Sequence, residues 1–600
     1  MGTGGYRIGI DTGGTFTDVV AIDEAGHVRT TKTPSTPDDP SRALLQGIRK
    51  ILAEADGDGS GAARATGIYH GTTVATNALL EERFTSLGLI TTKGFRHVLE
   101  IARQSVPSGY GNSYFWVKPE RIVPLDYVKE VTERLNFRGE VVTEFDENEA
   151  RLAARWFRDH GIQSIAVSFI HSYTNPTHER RMADVLRQEY PEASVSLSSD
   201  VLPEYREYER TVTTVVDAFV KPSVRAYVDR AREQVSTLRN GALHLPFLIM
   251  QSNGGVLSAE AVARQPITTL LSGPAAGALG ASWLADLAGF PNVLTVDAGG
   301  TSTDICVVER GTPHITTEGK VGRFPVKVPM IDIITIGTGG GSIAWIDGSG
   351  GLRVGPKSAG ASPGPMCYCN GGDQPTMTDA NVLLGRLPPR LLGGEVPLDV
   401  ERARFGLERL GVQLGLDAET LAAGVLEIAD WNQVNTIRQV TVKKGLDPRD
   451  YAMVPFGGSG PLQASRVAEL LGLGTTLIPP HPGNVSAFGL LAVDLKSDYV
   501  STVVQREDRF ERAVLEAAYG RLEALADQAL EDQGVPTETR AVYLHGRFQE
   551  CPIFGRSELS PGDGLTGPAV VEEYGSTSVI QPGHAVQVDR FGNLLLTLPA

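Results

Sequence analysis

The octapeptide DTGGTFTD spans Asp11–Asp18, and DAGGTSTD returns near mid-chain at Asp297–Asp304. The two differ only where Thr12 and Phe16 stand opposite Ala298 and Ser302, and both lie between apolar, β-branched runs. Such a run ending in Asp, then Gly-Gly-Thr, then a second run predicts a strand, a tight turn and a strand, because paired glycines accept the positive φ of a hairpin. One copy alone would read equally well as a mere turn. Recurrence at identical internal spacing argues for a shared task. Each turn presents backbone N–H groups and hydroxyls in a concave anion site: Thr12, Gly13, Gly14, Thr15 and Thr17 in the first copy, Gly299, Gly300, Thr301 and Ser302 in the second. Carboxylates beside a bound phosphate repel it unless a cation lies between. Asp11, Asp18, Asp297 and Asp304 therefore imply magnesium, or manganese, which prefers few carboxylates plus phosphate oxygens and water. Two such hairpins facing each other make a clamp for a nucleotide triphosphate, with Asp11 and Asp297 as candidate catalytic groups.

At 600 residues the chain exceeds what one hydrophobic core supports, so at least two domains are expected. Its net charge of −16 disfavours nucleic acid and anionic membrane surfaces as partners. The four scattered cysteines and the lack of a basic-then-apolar leader suggest a reducing, cytoplasmic setting. No window carries the roughly 18 uninterrupted apolar residues of a membrane span.

Strand and helix patterns alternate through the first 200 residues: strands at 7–10, 16–23, 87–91 and 164–169, helices at 41–54 and 147–160. The fold class is α/β. A long helix beginning in REYERT (Arg206–Thr211) is expected to break or bend where Lys221 precedes Pro222. SGPAAG (Ser272–Gly277) reads as a Ser-capped helix start. Boundaries fall at 1–200, 201–498 and 499–600, the last a small α+β module.

Further motifs carry candidate chemistry. FGGSGP offers Gly457, Gly458, Ser459 and Gly460 ahead of a helix, where backbone can lie against a flat purine; the bland reading is a loop-to-helix junction. The run at 336–352 adds Gly339 and Gly340. His70, beside two threonines, suits either catalysis or a core or capping role. Ser252, Asn253 and Gly254 of SNGG, with Ser272, Gly273 and Arg210, are candidate substrate contacts, although the charges of REYERT also suit a solvated face. Cys367 and Cys369, with Asp379 and His481, allow a zinc site in principle, but Cys-x-Cys on a strand equally gives two buried thiols on one face.

The duplicated hairpins resemble the phosphate loops of the actin, sugar-kinase and heat-shock-chaperone ATPase superfamily. That resemblance implies two ribonuclease-H-like lobes closing on Mg-ATP. HGTTVATNALLE (His70–Glu81), REYERT, SNGG, SGPAAG, GTGGGSIA, SAGASPGPMCY (Ser358–Tyr368) and TDANVLLGRL (Thr378–Leu387) together resemble the hydantoinase A and 5-oxoprolinase family across about residues 6 to 495. The resemblance places FGGSGP at the adenosine loop. It implies ATP-dependent ring-opening of a cyclic amide by phosphorylation of its carbonyl oxygen, with a separately encoded B-type subunit as partner and homo-oligomers also compatible. Ketone carboxylation, a small-molecule kinase and a conformational ATPase are the alternatives. Two departures stand out: Gln463 follows Gly-Pro-Leu where the family commonly has His, and the tail is short.

Overall fold

The computed structural model describes the chain apart from residues 1–4, 15, 24, 37–38, 57–64, 83, 85, 104–120, 239–244, 392–395, 504, 506–509, 532–537, 545–546, 556–558, 560–562, 574–575, 581–584, 589–593 and 598–600. Strands β1 (Tyr6–Thr12) and β2 (Phe16–Asp23) form the first hairpin, with Asp11 opposite Asp18 and Thr12 opposite Thr17. Ile8, Ile10, Val19 and Val20 are fully buried, so the apolar alternation fixes the register. β3 (Val28–Pro34) extends the meander. After helix α1 (Pro40–Asp56), β4 (Ala65–Thr72) returns parallel to β1, setting Gly71 beside Asp11, and leads into α2 (Val74–Leu80).

Next comes a parallel sheet of four strands, β5 (Leu87–Thr92), β6 (Val128–Val131), β7 (Ser164–Ser168) and β8 (Ser194–Leu197), ordered β8-β7-β5-β6. Helices α3 (Glu147–Asp159) and α4 (Thr177–Glu189) flank it, and Ile165, Val167, Phe157, Met182 and Leu186 share its core. The long helix α5 (Glu207–Ser236) follows and runs through Pro222, so of the break or bend expected there the break does not occur. A helix-interior proline costs about 3 kcal/mol. Burial of Val212, Val215, Val216, Val220, Val224 and Tyr227, each worth about 1.5–3 kcal/mol, outweighs that cost.

β9 (Phe247–Met250) joins the first sheet parallel to β4, giving the order β3-β2-β1-β4-β9 with a short edge strand at Val256–Ser258. Helix α6 (Ser272–Leu287) then leads to the second hairpin, β10 (Val293–Ala298) and β11 (Thr303–Glu309), where Asp297 faces Asp304. β12 (Ile333–Ile336) lies on β11, and after α7 (Ala418–Val442), β13 (Ala452–Phe456) runs parallel to β10 and opens into α8 (Gly460–Leu471). The second sheet thus repeats the ribonuclease-H-like order of the first: meander, then a parallel fourth strand. Val296, Ile305, Val434, Ile437 and Val467 make its core. Helix α9 (Arg512–Glu531) and short strands close the chain.

Two compact units result. The first comprises Met1–Thr85, Val216–Gln234 and Phe247–Lys496 and holds both hairpins; the second comprises Ser86–Val215, Val235–Pro246 and Ser497–Ala600 and holds the parallel sheet. Among the described residues, no helix is long and apolar enough to cross a membrane.

Candidate active site

Each hairpin turn is closed by a hydrogen bond from its first glycine, Gly13 N to Phe16 O at 3.1 Å and Gly299 N to Ser302 O at 3.0 Å. The two copies share more than their octapeptides. In both, the fourth strand ends under the hairpin aspartate and opens into a helix. A Cβ on Gly71 would come within 2.8 Å of Asp11 Oδ1, and one on Gly457, whose φ is +80°, would strike Asp297 Oδ1. Two residues beyond each glycine a hydroxyl braces its hairpin: Thr73 Oγ1 donates to Thr12 O at 3.2 Å, and Ser459 Oγ to Ala298 O at 3.1 Å. HGTT and FGGS are therefore structural counterparts, an equivalence their residue identities hide. Gly14, Gly300, Thr301 and Gly458 are exposed at the tips, open to a ligand. Thr15 lies outside the described residues.

The four carboxylates differ in their partners. Asp18 takes Lys32 Nζ at 2.9 Å and Asn484 Nδ2 at 3.2 Å, and Asp304 is bonded by the Thr335 hydroxyl. Among the described residues, the Asp297 side chain has only a long bond from Ser486 Oγ, at 3.4 Å. Asp11 Oδ1 is buried without a hydrogen-bond partner among the described residues. Burial first, then the charge of Asp18, pushes Asp11 up to about 7; burial, then Asp304, Asp11 and Asp18, pushes Asp297 up to about 8. Asp18 and Asp304, again through burial, rise to about 6. Mutually repelling carboxylates, one with an unmet oxygen, fit a cation shared with an anionic ligand. Among the described residues, no three His, Cys, Asp or Glu form a group that could hold a metal ion.

His70 is fully buried. Its Nδ1 lies 3.1 Å from the Ile10 carbonyl, which can only accept, so the proton sits there and Nε2 accepts from Tyr227 Oη at 2.6 Å. Burial holds the ring down to about 4, hence neutral. Both nitrogens are committed, and the imidazole props β1 directly behind Asp11. Sequence reasoning missed Tyr227, Lys32, Asn484 and Ser486; no spacing signal ties them to the hairpins.

Other candidates fall into place around this frame. Helix α6 starts at Ser272, but Leu271, in the left-handed region, precedes it without any side-chain cap. The Ser272 hydroxyl donates instead to Thr72 O at 3.0 Å, which corrects the Ser-capped expectation and brings Gly273 against Asp11. Gly340 N and Gly341 N donate to Gly299 O and Gly300 O, and Gly339 N to Ser342 Oγ, so the 336–352 run braces the second turn from behind. Thr17 turns away, to Ser35 Oγ at 3.0 Å. Ser252 gives its hydroxyl to the carbonyls of Thr268 and Leu270, and Asn253 Oδ1 accepts from Gly255 N, both inside the loop that also contains Gly254. Gln463 donates to Asp430 Oδ1 at 2.7 Å and accepts from Gln433 at 2.6 Å, a buried chain that ties α8 to α7. Arg210 belongs to the second unit and is buried; the solvated-face reading fails there because the helix turns this residue inward.

The cysteine pair departs from its expectation. Met366–Tyr368 is a single helical turn rather than a strand, and Cys369 adopts φ 58°, so the sulfurs diverge: Cys367 is packed near Val382 and Leu398, Cys369 is exposed. The Asp379 carboxylate accepts from Cys367 N and Thr376 N instead of facing a metal.

Comparison with known proteins places this geometry. The hydantoinase/oxoprolinase pattern matches residues 210–499, its N-terminal region 7–190 and its C-terminal domain 521–597. The caprolactamase subunit alpha of Pseudomonas jessenii is 35% identical over 91% of this chain and 80% of its own. The crystal structure of the ATP-dependent caprolactamase from that organism superposes with a TM-score of 0.76 at 29% identity, covering 99% of this chain and 100% of that one. The 5-oxoprolinase of Saccharomyces cerevisiae is 32% identical over 82% of this chain, which spans 41% of that longer protein.

Proposed function

The chain belongs to the hydantoinase/oxoprolinase family, and from that premise we propose that it spends ATP to open the ring of a cyclic amide, as the A-type partner of a separately encoded B-type subunit. One observation carries the reading: two hairpins of matching register in one compact unit, in which Asp297 feels the charge of Asp11 and the Asp11 Oδ1 has no hydrogen-bond partner among the described residues.

Magnesium or manganese held by Asp11 and Asp297 together with phosphate oxygens would neutralise charge on the transferring phosphoryl group. The chain's own residues do the rest by positioning. Gly14 and Gly300 let the two turns approach the phosphates closely, Ser459 and Thr73 fix the turns, and Gly457–Gly460 leaves room for the adenosine. An unstrained amide is a poor electrophile, and phosphorylating its oxygen corrects that. The carbonyl oxygen bonds to the γ-phosphorus as the bond to the β–γ bridging oxygen breaks and ADP departs. Water adds to the activated carbon, the ring C–N bond breaks with the nitrogen taking a proton, and a second water releases phosphate from the acyl phosphate. Neutral His70 supports β1 and exchanges no proton with substrate. The name of the Pseudomonas relative, a subunit, supports the two-subunit arrangement.

The test is ATP turnover across hydantoins, 5-oxoproline, larger lactams, ketones and sugars, with and without the neighbouring B-type subunit. Stimulation by one cyclic amide class, with stoichiometric ring-opened product, is expected. Stimulation by ketone or sugar alone would overturn the proposal.

A further inference from the structure

Arg210 is only 1% exposed, the largest of the fully buried side chains. Its Nη2 donates to Phe169 O at 2.6 Å, while Nε and Nη1 have no hydrogen-bond partner among the described residues. Taking a guanidinium out of water costs several kcal/mol that only full pairing repays, and nearly all buried polar groups are paired. An open donor pair on a buried cation is a mark of a binding site.

Its position gives an independent reason. In the sheet order β8-β7-β5-β6, the chain leaves β5 to one side for β6 and then returns past it to β7 and β8. Strand order therefore reverses between β5 and β7. Open parallel sheets bind their ligands beyond the carboxyl ends of the strands at such a reversal. Arg210 is tied to that point. Phe169, its carbonyl partner, directly follows β7. Thr91 Oγ1, near the end of β5, donates to Ser168 O at 2.9 Å; Ser168 Oγ meets Thr211 Oγ1 at 2.8 Å; and Ile170 N donates to Thr92 Oγ1 at 2.9 Å. Just beyond β8, the Ser199 hydroxyl is also buried without a partner among the described residues.

Unmet hydrogen-bond donors decide what kind of ligand fits. Glu179 spends both oxygens on Phe169 N, Ser198 Oγ and Ser199 N, and Glu133 is engaged by His178 Nδ1 at 2.8 Å and by Thr92. Burial lowers the basicity of Arg210, with Glu179, Tyr173, Glu207 and Glu133 opposing it, and Arg134 and Arg210 together with burial lower His171. The buried carboxylates nearest Arg210 are thus committed to other donors, and its Nε and Nη1 remain charged donors without a partner among the described residues. Tyr173, half-buried, lies over the guanidinium at 5.3 Å, and the site offers one small, planar fork rather than a glycine-rich phosphate cradle.

We propose that the second unit binds a small carboxylate at the carboxyl edge of its parallel sheet, between β5 and β7, with Arg210 as the charge partner. Every residue involved lies in the second unit, so the site stands or falls separately from the nucleotide clamp.

Calorimetric titration of the full-length chain, without nucleotide, uses acetate, succinate, benzoate and 5-oxoproline, with acetamide, benzamide and 2-pyrrolidinone as neutral counterparts. Saturable binding of at least one carboxylate is expected, with its neutral counterpart at least about tenfold weaker. Arg210→Lys should weaken that binding at least about tenfold, since the lone ammonium cannot reproduce the fork, and Arg210→Met should abolish it. Hydrogen exchange on the wild-type chain should show protection at residues 91–93 and 169–171. No saturable carboxylate binding, equal binding of the neutral counterpart, unchanged affinity in Arg210→Lys, or protection confined to the hairpins would each overturn the proposal. Should Arg210→Met fail to fold, Arg210→Lys and the wild-type exchange pattern still decide.

Discussion

Asp297 lies under the fields of three other carboxylates, and the wall around it gives it no strong donor. Its folded value near 8, like that of Asp11 near 7, exceeds the 3.8 of an unperturbed aspartate. Between about pH 4 and pH 8 these two carboxyls therefore hold more protons in the folded chain than in the unfolded one, and their contribution to stability falls as pH rises through that window, opposed below about pH 6.5 by neutral His70. The melting temperature without metal and nucleotide should drop from pH 5 to pH 8. Mg-ATP should flatten the slope, and Asp297→Asn should reduce it even without ligand. Replacing Asp11 or Asp297 by Ala should lower ATP turnover at least about 100-fold, read as kcat at saturating ATP, a size typical of losing a group that acts on the transferring phosphoryl. Backbone geometry makes an equally sharp contrast. Gly457→Ala forces φ +80° on a residue with a Cβ and drives that Cβ into Asp297, costing more than about 2 kcal/mol in a denaturant melt. Gly458→Ala meets nothing within 4 Å and should leave the melt unchanged.

Between neighbouring elements, the hairpins are held from behind. Thr73 and Ser459 each join a helix start to a turn, so Ser459→Ala should cost about 1 kcal/mol of stability while raising the KM for ATP several-fold with little change in kcat. A purely structural hydroxyl would move the melt and leave KM alone. The Gln463 chain joins α8 to α7 through Asp430, which burial pushes up to about 6. Gln463→Ala strands the Asp430 carboxyl and the Gln433 amide, and the expected loss is about 2–3 kcal/mol.

At the scale of the whole chain, two compact units with separate ligands should melt separately. Calorimetry should resolve two transitions, of which Mg-ATP raises one and a bound carboxylate the other. A single transition moved equally by both would show the units to be one cooperative block.

The two hairpins were legible beforehand because they rest on short-range rules: paired glycines after an aspartate demand a turn, and a repeated octapeptide repeats it. The equivalence of HGTT with FGGS was hidden, since what the copies share is a backbone path and a hydroxyl position, carried by different residues. Tyr227, Lys32 and Asn484 reach the hairpins only through folding, from far away in sequence, and no periodicity encodes such meetings. Pro222 and the Cys-x-Cys turn show local preference yielding to packing. By itself, then, the sequence determined the two hairpins and the α/β class, which follow from local backbone preference and apolar patterning. Only the tertiary structure decided that His70 is a neutral prop, that Asp11 rather than Asp18 is left unpaired, and that Arg210 is buried with open donors, because burial and partnership are properties of what surrounds a residue.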